Sequence, residues 1–456
     1  MSRFPGLLAA LLVAACAHAA DPWRATTEKL DAYFNALDAN HFANGVIVVS
    51  ERGEVRYRRA LGLAWMGDSP SANETSTLFK VGSVTKLFTA ILSMQLVEGA
   101  SITLDGPIAE FFPDLPNALQ LTYRDLLQHR SGLADFTQRP DYETWRLAPH
   151  PRDEILARLA SAGAHFAPRE RVEYDNSNYL LMGYVLEKVR EKPYDDILAQ
   201  RISSKLGLAR TVYGLTAKPA NRMALSYKFT PNGWVADAQT DPDLLGGAGG
   251  GVSNAEDLVR IIEALFGGRL VSAQSLATMR SQEGGSGIGL WPYDAAGEHG
   301  FGHGGAIESY RSCVYYFPDR GIAISYTGNG QLLAMAEIVD ETLATVFDRG
   351  HGPRAYAPVK LTTTQMAAYA GTWKSAPGAP ANSPFRQFRA ADNPLSMKLT
   401  AGPDGLVGTI GGHDFPLNAF GDDEFFVPLT GTFVRIHPST NELVVRDADY
   451  AYYLRR

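Results

Sequence analysis

The pattern of apolar residues changes near residue 350, and this change most restricts how the 456-residue chain can fold. Before that point, strand-like apolar runs alternate with apolar residues at the three- and four-residue spacing of helices. Beyond residue 360, short strand-like segments follow one another closely, and Gly, Pro, Asn or Asp punctuates most of the gaps. Such a tail predicts a small antiparallel barrel or sandwich, with strands over 406–410, 424–429, 433–437, 442–446 and 450–454.

The first part of the chain predicts helices and strands together. We expect helices over 26–34, through much of 107–242 and over 254–265, and hairpins formed by 46–57 and by 312–326. Residues 246–251, GGAGGG, predict a flexible loop. Glycines and prolines between 350 and 358 indicate a linker, which we place at 351–360.

The N-terminus has the organisation of a secretory signal peptide. Arg3 precedes an apolar stretch over residues 7–15, and the small-x-small pattern Ala17-His18-Ala19 follows it. We therefore expect cleavage after residue 19 and an exported protein, either periplasmic or secreted. Cys16 offers an alternative lipid anchor, because residues 13–16 resemble a bacterial lipoprotein signal.

Composition excludes several classes of function. A net charge of −7 provides no broad basic surface, so no nucleic-acid partner is expected. Two cysteines exclude a disulfide framework and a Cys-rich metal site, and Cys313, in an apolar run, is expected to be buried. The ten histidines are scattered without an HExxH motif, and we expect no metal and no organic cofactor. No run of about 18 apolar residues occurs, so no transmembrane helix is expected.

Residues 79–88 contain the first candidate for catalysis. Ser83 stands at the start of a predicted amphipathic helix that continues to Leu96, and Lys86 follows on the same helical face. A serine hydroxyl is a weak nucleophile until a base takes its proton, and a lysine can do so when burial or a nearby cation lowers its pKa. Taken alone, this spacing is better explained by a capping serine beside a solvated lysine.

Two later segments carry further groups suited to acyl chemistry. Tyr174 and Asn176 precede an apolar helix, where a tyrosine can shuttle a proton and an amide can hold a base or a substrate carbonyl. His303 stands in the glycine-rich segment 300–306, whose glycines allow close approach to a strand edge. Each segment alone also has a simpler explanation, a capped turn for the first and a satisfied polar histidine for the second.

The order of the three motifs resembles one family. Ser-x-x-Lys, Tyr-x-Asn and His-Gly-Gly in succession are similar to the pattern of serine β-lactamase-related hydrolases of the class C and penicillin-binding-protein type, which include esterases and D-aminopeptidases. Residues 126–133 (LLQHRSGL), 249–258 (GGGVSNAEDL) and 317–321 (FPDRG) resemble the same family, and the resemblance covers about residues 25–348. The tail resembles the lipocalin-like barrel appended to some relatives, with residues 369–373 (YAGTW) as its opening strand.

The resemblance implies an α/β (α+β) fold of the β-lactamase/transpeptidase-like type, in which an antiparallel sheet is flanked by helices beside a helical subdomain. It also implies that Ser83 attacks an acyl carbonyl to form an acyl-enzyme, that Lys86 and Tyr174 share the acid and base work, and that Asn176 positions them. The implied substrate-binding residues on the third motif are His303, Gly304, Gly305 and Ala306. The oxyanion hole would be the backbone N–H groups of Ser83 and Ala306.

Two residues depart from the family pattern. His303 stands where many relatives have lysine, which argues against strong β-lactamase activity because a titrating group replaces a fixed charge. Asp175 stands where a small residue is common. Its carboxylate either raises the pKa of the neighbouring tyrosine or points outward, and we expect it to point outward.

The sequence therefore predicts a signal peptide over 1–19, a serine hydrolase domain over 20–350, a linker over 351–360 and a barrel over 361–456. The expected reaction is acyl transfer to water from an ester, from a D-amino-acid amide or peptide or, less favoured, from a β-lactam. Its small-molecule or peptide substrate includes cell-wall-derived compounds among the candidates. The alternative is a penicillin- or muropeptide-binding protein that is acylated or silent without efficient turnover. The oligomeric state is left open.

Overall fold

The computed structural model describes residues 23–208, 210–218, 222–348, 354–375, 396–403, 405–421, 423–446 and 451–455. The predicted signal peptide, with Cys16, lies outside these described residues. The helices are α1 Arg24–Ala39, α2 Thr85–Glu98, α3 Tyr123–Leu127, α4 Tyr142–Trp145, α5 Arg152–Ala162, α6 Asn176–Arg190, α7 Tyr194–Leu198, α8 Ser204–Leu206, α9 Ala255–Phe266, α10 Ala273–Arg280, α11 Met335–Val346 and α12 Thr363–Tyr369. Short 3-10 turns cover Gly82–Val84, Ile108–Glu110, Phe136–Gln138 and Gly246–Ala248, and a π-helical turn covers Ala199–Ser203.

The strands of the first part are β1 Ala43–Glu51, β2 Glu54–Leu61, β3 Leu63–Trp65, β4 Ser71–Ala72, β5 Phe79–Lys80, β6 Val212–Tyr213, β7 Tyr227–Thr230, β8 Gly233–Ala236, β9 Gly251–Ser253, β10 Trp291–Ala295, β11 Glu298–Ile307, β12 Tyr310–Phe317 and β13 Ile322–Gln331. Those of the tail are β14 Gly371–Ser375, β15 Ser396–Ala401, β16 Leu406–Ile410, β17 His413–Ala419, β18 Glu424–Val427, β19 Thr432–His437, β20 Glu442–Arg446 and β21 Ala451–Arg455.

A six-stranded antiparallel sheet, ordered β10-β11-β12-β13-β1-β2, forms the centre of the first part. Its interior strand β1 is apolar on both faces because helices cover both faces of the sheet. Val46 and Val48 join the core that contains α2 and α9, whereas Ile47 and Val49 join the core that contains α1 and α11. The predicted antiparallel sheet flanked by helices is confirmed, and both expected hairpins are present.

The helical subdomain, built around α3 to α8, lies across α2 from the sheet. Helix α2 contacts both β11 and α6, and every residue from Thr85 to Leu96 is buried. The predicted helix is therefore present, but its expected amphipathic character is wrong, since it lies between two layers and has no solvent-facing side. This position takes the side chain at Lys86 out of water.

The glycine-rich segment 246–251 is also different from the expectation of a flexible loop. Residues Gly246, Gly247 and Ala248 are buried in a 3-10 turn. A Cβ atom on Gly247 would lie 2.8 Å from the Tyr179 carbonyl oxygen and 2.9 Å from Thr89 Oγ1. The glycines are thus needed because this backbone packs directly against α6 and α2, and their packing fixes the position of the Ala248 carbonyl.

The C-terminal part forms a closed eight-stranded antiparallel barrel, β14 to β21 in sequence order. Its interior is filled by apolar side chains around the fully buried Trp373. Strands β15 and β17 were not anticipated, and β17 contains Pro416, a residue that weakens a strand prediction because it cannot donate to a ladder. The expected opening strand begins at Gly371, since Tyr369 ends α12.

The barrel packs against the first part through an aromatic cluster. Phe42 makes ring contacts with Tyr356, Phe420, Phe426 and Phe433. Tyr356, inside the segment predicted as a linker, is only 4% exposed. The barrel is therefore joined to the sheet layer by a shared hydrophobic core.

An ionic cluster borders this aromatic core. Glu424 of the barrel accepts hydrogen bonds from Arg354, Arg435 and Arg446, and Arg354 and Arg446 also pair with Glu337 of α11. The first turn of α11, at Met335, is also part of the wall of the cleft described below. The barrel thus holds a helix that borders the site.

Cys313 is buried and unpaired with any other described cysteine, as expected. Among the described helices, none has the length and apolar character needed to cross a bilayer.

Candidate active site

Ser83 lies in the 3-10 turn between β5 and α2, beside the last residues of β11. The preceding Gly82 has a φ of +47°, and a Cβ atom there would lie 2.8 Å from the Ala306 carbonyl oxygen. Only glycine satisfies both conditions, because other residues disfavour this backbone region and bring a side chain into contact. Gly82 therefore allows the Ser83 turn to lie directly against Ala306.

The three predicted motifs meet at the Ser83 hydroxyl. Lys86 Nζ lies 3.0 Å from Ser83 Oγ, and the Tyr174 hydroxyl lies 2.7 Å from the same oxygen. Lys86 Nζ also lies 2.8 Å from Asn176 Oδ1. Of the predicted site residues, the structure thus brings Ser83, Lys86, Tyr174 and Asn176 into one hydrogen-bonded network.

Lys86 is fully buried, with no exposed surface. Burial lowers its pKa to about 7, against the opposing effects of the Asp135 and Asp175 carboxylates. Besides the contacts to Ser83 and Asn176, Nζ lies 2.8 Å from the Ala248 carbonyl oxygen. A substantial fraction of the lysine is therefore neutral near pH 7. Its amine is held in place by three polar neighbours, Ser83 Oγ, Asn176 Oδ1 and the Ala248 carbonyl oxygen.

Tyr174 forms the wall of the site nearest to solvent, with 41% of its surface exposed. Its pKa is raised, chiefly because the phenol oxygen is poorly solvated. The hydrogen bond to Ser83 lowers the pKa, and the Asp135 and Asp175 carboxylates raise it further. Lys86 Nζ lies 4.8 Å from the Tyr174 ring centroid. At neutral pH the tyrosine is thus protonated and donates its O–H to Ser83.

His129 supports Tyr174 from the side. The two rings stack with centroids 4.6 Å apart, and His129 Nδ1 accepts the backbone N–H of Asp175 at 3.1 Å. Burial, Lys86 and His303 together hold the pKa of His129 well below its usual range, so the imidazole is neutral. This residue lies in the LLQHRSGL stretch, which the sequence marked as a family resemblance without assigning a role to the histidine.

The Asp175 carboxylate does not point outward, so that expectation is wrong. The residue is only 4% exposed and caps α6, where Oδ1 accepts the Ser177 backbone N–H at 2.7 Å. An aspartate at the start of a helix is a strong N-cap, which explains the inward position. Burial raises its pKa well above the usual value, and its Oδ2 has no hydrogen-bond partner.

Strand β11 presents a free edge to Ser83. Its partner β10 pairs only as far as Gly302, so residues 303–307 have no strand on that side among the described residues. A Cβ atom on Gly305 would lie 2.1 Å from the Val81 carbonyl oxygen and 3.1 Å from the Ser83 nitrogen. Gly305 thus brings the Ala306 backbone beside the Ser83 turn, the arrangement that the predicted oxyanion hole requires.

His303 is 4% exposed and borders the same cleft. Its Nδ1 lies 2.5 Å from the Gly304 carbonyl oxygen and so must carry the proton, which leaves Nε2 as an acceptor. That Nε2 is buried without a partner. Burial and the nearby Lys86 lower the pKa of His303 to about 3, so the imidazole is neutral at any working pH.

The site opens into a cleft of about 1130 Å³. Besides the site residues, its walls include Tyr142, Arg146, Thr240 and Arg311. Within the described ranges, no group of histidine, cysteine and carboxylate side chains is arranged to hold a metal ion. The sequence did not identify Asp135, whose carboxylate accepts from Asn176, or the Ala248 carbonyl, because neither belongs to one of the three motifs.

Comparison with known proteins supports the same fold and chemistry. A family model described as Beta-lactamase matches residues 30–349. Penicillin-binding protein 4 of Amycolatopsis lactamdurans is 28% identical over 389 residues, which cover 76% of this chain and 97% of that protein. The crystal structure of D-amino acid amidase from Ochrobactrum anthropi SV3 with L-phenylalanine amide superimposes with a TM-score of 0.62 at 27% identity, covering 71% of this chain and 99% of the amidase.

The octameric penicillin-binding protein homologue from Pyrococcus abyssi has a TM-score of 0.64 at 20% identity, covering 94% of this chain and 99% of its own. At this identity the likeness concerns the fold alone, and it extends well beyond the β-lactamase match. Since the family model covers more than half of the chain and the motifs converge as described, the chain belongs to the β-lactamase family and is a serine hydrolase.

Proposed function

We propose that this protein is an exported hydrolase that forms an acyl-enzyme on Ser83 and acts on D-amino-acid amides, D-amino-acid peptides or esters. One observation carries the proposal: Ser83 Oγ lies within hydrogen-bonding distance of both Lys86 and Tyr174, beside the free edge of β11. A serine with two proton-transfer groups and a nearby backbone edge has what acyl transfer requires.

In the acylation step, neutral Lys86 is the base. Its two N–H bonds are directed to Asn176 Oδ1 and the Ala248 carbonyl oxygen, both of which only accept. The lone pair therefore faces Ser83, takes the hydroxyl proton and leaves Oγ free to attack the substrate carbonyl carbon. The carbonyl oxygen becomes negatively charged, and the N–H groups of Ser83 and Ala306 stabilise it.

Collapse of this intermediate breaks the bond to the leaving group, which needs a proton. Tyr174 is protonated, and the new positive charge on Lys86, close to its ring, favours release of the phenol proton. Tyr174 gives its proton to the leaving amine or alkoxide and becomes a tyrosinate, while Lys86 keeps the proton that it took from Ser83. Water then attacks the acyl-enzyme with the same groups in reversed roles, and this restores Ser83.

The neutral His303 bears on the substrate class. A β-lactam presents a carboxylate that a lysine at this position would neutralise, whereas the buried, uncharged imidazole of His303 supplies no positive charge. The site therefore suits an uncharged amide or ester better than an anionic substrate. The likeness to D-amino acid amidase points to the same substrates, and β-lactams should be poor ones.

Three further features belong to the proposal. Export through the predicted signal peptide at 1–19 would place the enzyme where cell-wall-derived D-amino acids occur. The division into a hydrolase domain over 20–350, a linker over 351–360 and a barrel over 361–456 is retained. The second candidate function is a penicillin- or muropeptide-binding protein without turnover, which the likeness to penicillin-binding protein 4 favours.

The test compares hydrolysis of D-phenylalanine amide, L-phenylalanine amide, p-nitrophenyl acetate and a penicillin by the mature protein and by Ser83→Ala. We expect turnover of the D-amide or the ester, a loss of about 10⁶-fold in kcat in the variant, and little hydrolysis of the penicillin. A penicillin adduct that persists, with no turnover of the other substrates, would establish the binding function instead. Efficient penicillin turnover with none of the amides or ester would contradict the substrate assignment.

A further inference from the structure

We propose that Asp135 is a positioning residue that fixes the Asn176 amide, and through it directs the lone pair of Lys86 at Ser83. The inference rests on the proposed function, since it concerns the base in that reaction. It adds to the three sequence motifs a residue that touches neither Ser83 nor the substrate edge of β11.

Four hydrogen bonds converge on the Asp135 carboxylate. Asp135 Oδ1 accepts the backbone N–H of Thr137 at 2.9 Å and its hydroxyl at 2.8 Å. Asp135 Oδ2 accepts the backbone N–H of Asn176 at 3.2 Å and its side-chain NH₂ at 3.0 Å. Asp135 therefore joins the 3-10 turn Phe136–Gln138 to the first residue of α6.

These contacts determine which way the Asn176 amide faces. A carboxylate can only accept, so the NH₂ end of Asn176 must face Asp135, where Thr137 Oγ1 at 3.1 Å takes its second N–H. The carbonyl end is then left toward Lys86 Nζ, at 2.8 Å. A reversed amide would place its oxygen against the Asp135 carboxylate, and that contact would be repulsive.

The orientation of the amide controls the orientation of the amine. A neutral lysine has two N–H bonds and one lone pair, and its three polar neighbours are Asn176 Oδ1, the Ala248 carbonyl oxygen and Ser83 Oγ. While both acceptors are in place, only Ser83 is left for the lone pair. With a reversed Asn176, the lone pair would instead accept from the amide NH₂, and Ser83 would lose its base.

Asp135 also acts on Lys86 through its charge. The charged and titratable groups around Lys86 are Asp135 and His129 from the segment between α3 and the 3-10 turn Phe136–Gln138, Tyr174 and Asp175 just before α6, Tyr179 on α6, and His303 on β11. Burial lowers the pKa of Lys86, and Asp135 is the first of two carboxylates that oppose this effect. Removing its charge therefore makes the lysine neutral down to a lower pH.

Asp135→Asn separates this role from a merely structural one, because its two effects have opposite signs at low pH. An asparagine places NH₂ toward either Thr137 or Asn176, so the two donors of that residue lose their acceptor. When the NH₂ faces Asn176, the Asn176 amide is free to reverse. We expect the rate of Ser83 acylation on the high-pH plateau to fall about 10–100-fold, as when partners that orient other active-site ligands are removed. At the same time, the acid limb of the pH–rate profile should move to lower pH.

The measurement is the second-order rate of labelling by a fluorophosphonate, followed by intact mass from pH 5 to pH 10 on the full mature chain. Thr137→Val is the first control, since it removes one acceptor of the Asn176 NH₂ but keeps the carboxylate, and its acid limb should stay in place. Asp125→Asn is the matched control, because Asp125 is also a buried capping carboxylate, paired with Arg169 and absent from the surroundings of Lys86.

The positioning role requires two changes in Asp135→Asn: a lower rate on the high-pH plateau and an acid limb at lower pH. A folded variant with an unmoved acid limb, a limb moved to higher pH, or an undiminished plateau overturns the positioning role. If Asp135→Asn does not fold, Asp135→Ser replaces it, because serine keeps the cap on Thr137 without the charge, and the same two changes are expected. Wild-type protein that is not labelled refutes the proposed function itself, whereas a labelled wild type with an unaltered variant refutes only this inference.

Discussion

The contact between Gly305 and the Ser83 turn makes Gly305→Ala the most informative single substitution. The new Cβ would lie 2.1 Å from the Val81 carbonyl oxygen, 2.5 Å from Ser312 Oγ and 3.1 Å from the Ser83 nitrogen. The first of these neighbours is backbone and cannot rotate away. Strand β11 must therefore move away from the turn, and the Ala306 N–H moves with it.

The size of the effect follows from what the movement removes. Loss of one oxyanion-hole donor costs about 2.7–4 kcal/mol, or about 10²–10³-fold in kcat. The forced shift in a close-packed region should also lower the free energy of unfolding by about 1–3 kcal/mol. We therefore expect Gly305→Ala to fold and to lose about 10²–10³-fold in kcat.

Gly304→Ala is the matched comparison on the same strand. A Cβ there meets its nearest atom, the Tyr315 hydroxyl oxygen, at 3.5 Å, which is an ordinary contact. Both variants are assayed for turnover of p-nitrophenyl acetate and for thermal unfolding, and we expect the loss in Gly304→Ala to be at least about tenfold smaller. A folded Gly305→Ala with wild-type kcat would refute the argument that this close approach forms the oxyanion hole.

Three further predictions concern pH and the domain contact. Because the base is neutral Lys86, with a pKa lowered to about 7, Ser83 acylation in the wild type should rise about tenfold per pH unit up to that pH; a limb near the usual lysine value would contradict it. Burial raises the pKa of Asp175 in the folded state, whereas the unfolded carboxyl ionises above about pH 4, so ionisation of this group costs stability as pH rises. Urea unfolding should therefore show Asp175→Asn gaining stability relative to wild type at pH 7.5 but not at pH 3.5, and an equal difference at both values would be contrary to this reasoning. Glu424→Ala leaves Arg354 and Arg446 without their barrel partner and should lower the free energy of unfolding by about 3 kcal/mol; no change would show that the ionic cluster does not secure the barrel.

The parts of the site that lie in local motifs were predictable from the sequence. Helical spacing alone places Lys86 beside Ser83, and the turn before α6 supplies Tyr174 and Asn176. That these segments meet was predictable only from the order of the motifs and their likeness to a family. No local pattern in the chain fixes the distance between Ser83 and Tyr174.

The remaining contacts depend on tertiary structure. Asp135 became identifiable only when its carboxylate was seen to face Asn176, and Ala248 contributes a backbone oxygen that any residue would carry. The burial of α2 on all sides and of the GGAGGG segment follows from layers that pack on them, which composition does not show. The inward position of Asp175 also depends on tertiary packing, because the residue before a helix can cap it from an exposed or a buried position.

Peptide mapping after fluorophosphonate treatment tests whether Ser83 is a nucleophile activated by its neighbours. Wild type and Ser83→Ala are incubated at pH 8 with the same reagent, digested and sequenced by mass spectrometry. We expect one adduct, on Ser83, in the wild type and no adduct in the variant. An adduct on another residue, an adduct that persists in Ser83→Ala, or an unlabelled wild type would contradict it.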